Sequence, residues 1–224
     1  MKQLNYLVVI FLSTLMISPW GVAEDAIEII KPVKQQWAHV NFQLSGKQQE
    51  QGFEQLIKDV GVLTTQHSDL AEVWIWSGIV KSSFAGAKGG LGALSLAKSA
   101  KKDLEKSLSI DAKALNGAAY MSLGTLYHKV PGWPIGFGDD DKADEYLQLA
   151  LELYPDGKET NYFYGEYLYD ERKYAKANKY LMTAHQIPVR ENRRITDEFR
   201  QTEIDTLIDK VGKRLNKLEK RHKK

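Results

Sequence analysis

A spacing of small and large apolar residues recurs three times along this chain and restricts the folds that it can adopt. The clearest copy contains Asn161, Tyr164, Gly165, Leu168, Ala177, Leu181, Ala184 and Pro188. The preceding copy contains Tyr120, Leu123, Gly124 and Tyr127, then an insertion, then Ala143, Leu147, Ala150 and Pro155. A weaker first copy contains Trp74 and Gly78, a longer insertion, then Ala100, Leu104, Ser107 and Ala112.

These offsets are typical of a helix-turn-helix repeat of about 34 residues. Glycine and alanine let two antiparallel helices approach closely, while Leu and Tyr fill the space between units. A single unit cannot bury its apolar face, so neighbouring units must stack. No segment alternates apolar and polar residues for long between turn residues, so strands are not expected. The sequence therefore predicts an all-α solenoid of antiparallel helix pairs.

Apolar residues at helical spacing continue on both sides of the three copies. Residues 33–44 and 53–63 predict a further helix pair, on the spacing of Trp37, Val40, Leu44, Phe53, Leu56 and Val60. Residues 194–220 predict a final amphipathic helix, whose apolar stripe is Phe199, Ile204, Leu207, Ile208, Val211, Leu215 and Leu218. A terminal unit needs a polar outer face. We expect a repeat domain at residues 24–190, with three to four units, and a basic capping helix and tail at 191–224.

The first 23 residues have the pattern of a secretory signal peptide. Lys2 supplies the positive start, residues 6–17 form an apolar run, and residues 21–23 are small enough for cleavage. The alternative is a membrane anchor, but the run falls short of the roughly 20 residues that a span needs. The chain has no cysteine, and therefore no disulfide and no thiol for a lipid. We expect a soluble, non-lipidated protein that begins near Glu24 and is periplasmic in a diderm bacterium.

Charge is close to balanced over the chain but not at its end. A net charge of +2 does not favour nucleic acid as a partner. Residues 190–224 hold twelve Lys or Arg against seven acidic residues. Such a segment is usually a solvated helix face, and the alternative is docking on anionic lipid or another acidic surface.

Two insertions interrupt the copies. Residues 130–141 hold two prolines and three glycines, which predict turns. The acids at 139–141 are placed to cap the next helix, and lack the alternating spacing of a calcium loop. Trp133 and Phe137 form either the small core of this loop or the mouth of a groove. Residues 82–95 are glycine-rich but lack the Gly-Lys-Ser/Thr sequence of a phosphate loop, so we expect the glycines to permit close helix contact.

The repeat residues resemble the tetratricopeptide repeat superfamily over roughly residues 70–190, which makes the expected fold a tetratricopeptide-like solenoid. More narrowly, the periplasmic T-component family associated with tripartite (TRAP) transporters is similar to residues 123–127, 131–134, 138–139 with 142–143, and 161–165. The resemblance implies a helical scaffold that assists a solute-binding protein in delivering a small apolar solute. Lipidated members carry a cysteine that this chain lacks, which leaves membrane tethering without support.

In repeats of this type the first helix of each unit lines the concave surface. The candidate binding residues there are Ile75, Ile79, Met121, Thr125, His128, Tyr162, Glu166 and Tyr169, and those of the loop are Trp133 and Phe137. This mainly apolar and aromatic lining suits a hydrophobic small molecule or an apolar peptide. The final helix could instead fold back into the groove and bury the same residues.

Catalysis is not expected, because no nucleophile beside a base, carboxylate pair or metal set stands out. The histidines show no spacing for a metal pair on one helix face, so neither a metal nor a cofactor is expected. The leading hypothesis is an exported scaffold that binds a protein partner in the cell envelope, with a solute-binding protein as the candidate. The alternative is a carrier of a hydrophobic small molecule, and a third possibility is a structural envelope protein that uses its basic tail. A carrier should have an enclosed apolar cavity and a scaffold an open groove or large exposed patch.

Overall fold

The computed structural model of the protein describes residues 19–222. Within this range the chain folds into nine α-helices. Their bounds are α1 Pro19–Gln43, α2 Gly46–Gln66, α3 Ala71–Lys88, α4 Gly90–Ile110, α5 Ala114–Lys129, α6 Asp140–Leu153, α7 Lys158–Asp170, α8 Tyr174–Gln186 and α9 Arg194–His222. A short 3-10 helix, Glu191–Arg193, precedes α9. Residues 19–222 contain no strand, and the predicted all-α solenoid with a C-terminal helix is confirmed.

Most of the predicted signal peptide, residues 1–18, lies outside the described residues. Helix α1 begins within the predicted signal, at Pro19, and its buried side chains include Ala26, Ile30 and Val33, which follow the predicted cleavage point. Between residues 19 and 222, none of the helices combines the length and the apolar character that crossing a bilayer requires.

Consecutive helices pack as antiparallel pairs. The pairs α3–α4, α5–α6 and α7–α8 make the most extensive helix contacts. Gly89 alone joins α3 to α4, and Gly78 of α3 packs against Leu104, well inside α4. A chain that reverses over one residue and then packs along its full length must run antiparallel. Each predicted repeat copy is therefore one helix pair.

The same glycine contact recurs in all three pairs. A Cβ added to the glycine would lie 2.5 to 2.8 Å from a leucine side-chain carbon of the second helix, closer than real Cβ atoms approach. The contacts are Gly78 with Leu104, Gly124 with Leu147 and Gly165 with Leu181. In α1 and α2 the order is reversed, because a Cβ on Gly52 would lie 2.7 Å from Val40. These glycines set the distance between the paired helices.

The C-terminal helix connects the two ends of the solenoid. Helix α9 packs against α8 and α7, and buries Ile204, Leu207 and Val211 in the same core as the repeats. It also contacts α1, where the rings of Phe199 and Phe42 stack with centroids 5.1 Å apart. The helices α1, α3, α5, α7 and α9 thus form a closed ring of contacts, each touching the next.

The two insertions differ in structure. Residues 82–95 continue α3 and begin α4, with the turn made by Gly89 and Gly90 at φ angles of +63° and +61°. A Cβ on Gly86, Gly89 or Gly90 would meet nothing within 4 Å, so the expectation that these three glycines permit close helix contact is wrong. They serve the turn instead.

Residues 130–139 form the predicted loop between α5 and α6. As expected, Asp139 caps α6, and its side chain accepts a hydrogen bond from the backbone N–H of Lys142 at 3.1 Å. Phe137 packs edge-on against Tyr127, with centroids 5.5 Å apart. Trp133 is 90% exposed, so it is not part of a loop core with Phe137.

Candidate functional site

A cavity of about 680 Å³ lies inside the ring of α1, α3, α5, α7 and α9, and is called the central cavity below. Each of these helices contributes side chains to its lining. Examples are Trp37 of α1, Ile79 of α3, Met121 of α5, Phe163 of α7 and Arg200 of α9. Pockets of roughly 300 to 1,000 Å³ are typical of small-molecule sites. The cavity is therefore large enough for an organic ligand.

Most of the lining is apolar. Trp37 and Trp76 meet edge to face with centroids 5.6 Å apart, and the Trp37 indole N–H donates to the Ser83 hydroxyl at 2.9 Å. The indole N–H of Trp76 is buried and has no hydrogen-bond partner in the described part of the chain. The remaining apolar side chains of the lining are Ile79, Ala85, Ala93, Leu94, Ala97, Leu115, Ala118, Met121, Leu126, Val130, Pro131, Ile135 and Phe163. This wall favours apolar ligands, because burying apolar surface drives their binding.

The loop between α5 and α6 reaches the cavity at its outer edge. Val130, Pro131 and Ile135 line it, and the Ile135 side chain is 68% exposed. The loop residues predicted for binding, Trp133 and Phe137, are not part of the lining. The loop borders the cavity through its aliphatic residues and not through its aromatic rings.

Five charged residues form a cluster at another part of the lining, called the cationic cluster below: Lys34, Glu159, Arg190, Arg193 and Asp197. Arg190 makes a two-pronged contact with Asp197, in which Nε and Nη2 each donate to a carboxylate oxygen at 2.8 Å. Glu159 accepts from Arg190 Nη2 at 3.1 Å and from Arg193 Nη2 at 2.6 Å. All except Asp197 line the central cavity.

Three cations surround two carboxylates in this cluster. Burial, followed by the positive charges of Arg193 and Arg190, lowers the pKa of the Lys34 ammonium below its ordinary value. Burial opposes ionisation of Asp197, but its hydrogen bonds from the side chain and backbone of Arg190 hold its pKa below the ordinary value. Lys34 makes no ion pair with any described residue, whereas both arginines are paired with carboxylates.

The other cations of the lining are engaged elsewhere. Lys129 Nζ lies 3.3 Å from Glu166 and 3.0 Å from Asp170, whose carboxylate also accepts a hydrogen bond from His128 at 2.8 Å. Burial would raise the pKa of Asp170, but the hydrogen bonds from His128 and Lys129 hold it below its ordinary value. The positive charge of Lys129 is therefore balanced locally.

Arg200 is held by aromatic rings and by a carboxylate. Its guanidinium carbon lies 4.3 Å from the ring centroid of Tyr162 and 4.6 Å from that of Phe163. Its Nη1 donates to Glu203 at 2.6 Å, and its buried Nε has no partner among the described residues. Burial raises the pKa of the Tyr162 hydroxyl well above its ordinary value, so Tyr162 stays neutral.

The residues that sequence reasoning proposed for binding fall into three groups. Ile79, Met121 and Thr125 line the central cavity. Ile75 and Tyr162 are buried in the core, and Phe137 and Tyr169 pack partly buried against it. His128 and Glu166 belong to the ionic contacts around Asp170 and Lys129, and Trp133 projects from the loop. The structure thus brings together three of the ten residues at the cavity.

Sequence reasoning did not select the cationic cluster or the two tryptophans of the wall. Lys34, Trp37, Trp76, Arg190 and Arg193 occupy α1, the interior of α3 and the connection to α9, and only Trp76 belongs to a first helix of the three copies. A lone Lys and two Arg residues about 155 positions apart in sequence carry no local signal that they meet. The basic character of residues 190–224 was the one hint of this cluster.

The arrangement suits binding rather than bond-making chemistry. Residues 19–222 contain no group of three or more His, Cys, Asp or Glu side chains that could hold a metal ion. Neither a protein-family model nor a curated protein sequence matches this chain.

Proposed function

We propose that this protein is an exported, non-enzymatic carrier that binds a hydrophobic small molecule in the central cavity. The observation that supports this proposal is the cavity of about 680 Å³ with a mainly apolar lining, bounded by five helices that contact one another in a ring. An enclosed apolar cavity distinguishes a carrier from a scaffold, which needs only an open surface.

The proposed setting is the periplasm, in association with a solute transport system. The signal-like segment at residues 1–23 and the absence of cysteine support export without lipid attachment. The resemblance to tetratricopeptide repeats, and to the T-component family associated with TRAP transporters, supports an accessory role in transport. In this role the carrier would pass its ligand to a solute-binding protein.

Binding to a neutral apolar fluorophore tests the carrier proposal. N-phenyl-1-naphthylamine is expected to fluoresce strongly with the wild-type protein. A Ser122→Trp variant adds a large ring to the cavity lining and should weaken binding at least about tenfold, because the volume is no longer free. The matched control is Ser109→Trp, which places the same ring on the exposed side of α4 and should bind like wild type. Equal binding by the two variants, with unchanged circular dichroism, would contradict the proposal.

Native mass spectrometry of the protein isolated without denaturation adds an independent test. A bound small molecule should appear as extra mass that is lost after unfolding and refolding. A protein that carries no extra mass and does not bind the fluorophore would contradict the carrier function.

A second candidate function is protein binding, supported by the loop between α5 and α6. Trp133 and Ile135 are 90% and 68% exposed, and exposed large apolar side chains are common at sites that dock another protein. The proposed partner is a solute-binding protein of the cell envelope. Cross-linking through a photoreactive residue at position 133 should capture that partner, while position 62 on α2, also exposed and apolar, should not. Equal capture from both positions would contradict this role.

A further inference from the structure

We infer that the ligand of the central cavity is an apolar chain with one anionic head group, bound with the head group at the cationic cluster. This inference rests on the proposed carrier function and specifies its ligand. It depends on the shape of the cavity, the charge balance of the cluster and the state of the other cations in the lining.

The cavity is elongated along α5. Its lining includes Ala118 near the start of this helix and Val130 just after its end, which at 1.5 Å per residue lie roughly 18 Å apart. The cationic cluster is at the first of these positions. Gly117 packs against Leu153, and Tyr154, the next residue, accepts a hydrogen bond through its carbonyl from Thr160, the neighbour of Glu159. An extended ligand can therefore have one end at the cluster and the other near the loop.

The cluster has one positive charge more than it has negative charges. Lys34, Arg190 and Arg193 carry three positive charges, and Glu159 and Asp197 carry two negative charges. The buried Lys158 lies beside this cluster, where it donates to Gln201 at 2.7 Å, and it adds to the positive potential. An anion beside Lys34 would supply the counter-charge that the cluster lacks.

Lys34 is the group best placed to meet this anion. It lines the cavity, makes no ion pair in residues 19–222, and is half-buried next to two arginines that repel its charge. A bound carboxylate would turn this repulsion into attraction and form a charge-assisted hydrogen bond. Because Arg190 and Arg193 are already paired, Lys34 can be replaced without leaving a carboxylate unpaired.

The remaining cations of the lining do not offer an equal site. Lys129 is balanced by Glu166 and Asp170, and Arg200 is paired with Glu203. The apolar wall of Ile79 and Met121 cannot solvate a charge. The anionic group of a ligand is therefore expected at Lys34, with the chain along α3 and α5.

Calorimetric titration with decanoate and 1-decanol tests this inference, because the two ligands differ mainly in the charge of the head group. The purified protein should bind decanoate at least about tenfold more tightly than 1-decanol at neutral pH. Lys34→Gln should weaken decanoate binding about tenfold and leave 1-decanol binding unchanged. Lys34→Arg should retain decanoate binding, and Lys106→Gln on the exposed face of α4 is the matched control.

Two outcomes would overturn the inference in different ways. Equal affinity for decanoate and 1-decanol would reject the anionic head group while leaving the carrier function intact. Failure of both ligands to bind would reject the carrier function as well. Thermal unfolding of Lys34→Gln should match that of wild type, since the change removes a repelled charge, and this verifies that any loss of binding is not a loss of fold.

Discussion

Two regions that border the central cavity are held together by different forces. The apolar wall comes mainly from α3, α5 and α7, where glycines packed against leucines bring the paired helices into close contact. The cationic cluster takes its three cations from α1 and from the segment before α9, and it is held by hydrogen-bonded ion pairs. The repeats therefore determine the size of the cavity, whereas the flanking segments determine its charge and close the ring.

Removing Asp197 should have the largest effect on this contrast. Asp197 is fully buried and accepts three hydrogen bonds from Arg190, so Asp197→Ala would leave that guanidinium without its main partner. Breaking one side of a buried ion pair costs about 3 kcal/mol. Urea denaturation should show this loss, while Asp209→Ala on the exposed face of α9 should change the free energy of unfolding by less than about 0.5 kcal/mol. Similar values for the two variants would contradict a structural role for the ion pair.

The apolar wall should respond to added volume. Gly124→Ala places a Cβ 2.7 Å from Leu147 and 3.1 Å from the Ala143 carbonyl oxygen. We expect a loss of about 2 kcal/mol in the free energy of unfolding from overpacking. Gly61→Ala is the control, because a Cβ there meets nothing within 4 Å and should stabilise α2 by up to about 1 kcal/mol. Opposite signs are the prediction, and a stabilising Gly124→Ala would contradict the close contact.

The closure of the ring should show a smaller coupling. Phe42 and Phe199 stack between α1 and α9, and such aromatic pairs contribute about 1 kcal/mol beyond their buried area. A double-mutant cycle with Phe42→Ala and Phe199→Ala should give a coupling free energy of about that size. Additive effects of the two changes would indicate that this stack does not hold α9 against α1.

A difference in acid sensitivity is the smallest expected effect. The pKa of Asp197 in the folded protein lies below its ordinary value of 3.8, so its ion pair contributes stability above that pH and loses it as the pH falls through the folded pKa. Wild type should therefore lose stability more steeply below about pH 4 than Asp197→Asn, which has no proton to bind there. Parallel pH profiles of the free energy of unfolding would contradict this assignment.

The helix pairs were predictable from the sequence because their contacts repeat. Gly78, Gly124 and Gly165 stand at equivalent positions, and each meets its leucine in the structure. The rotation of each helix was harder to predict. Phe163 lines the cavity while its neighbour Tyr162 lies under Arg200 in the core, and a single residue corresponds to about 100° around a helix.

The cationic cluster could not be predicted from a local pattern. Lys34 and Arg193 meet only because α9 reaches back to α1, and nothing in the residues near either position encodes that contact. The sequence did predict an amphipathic final helix, but whether this helix fills the groove or closes its edge depends on long-range packing. In the structure Thr196 and Arg200 of α9 line the edge of the cavity and leave its volume free.

The most direct test of the central claim is a crystal structure of the protein with 10-bromodecanoate, using the anomalous signal of bromine to locate the chain end. The account predicts a bromine peak among the apolar side chains of α3 and α5, with the carboxylate within hydrogen-bonding distance of Lys34 Nζ. A saturated crystal with no peak in the central cavity, or with the peak only beside Trp133, would contradict it.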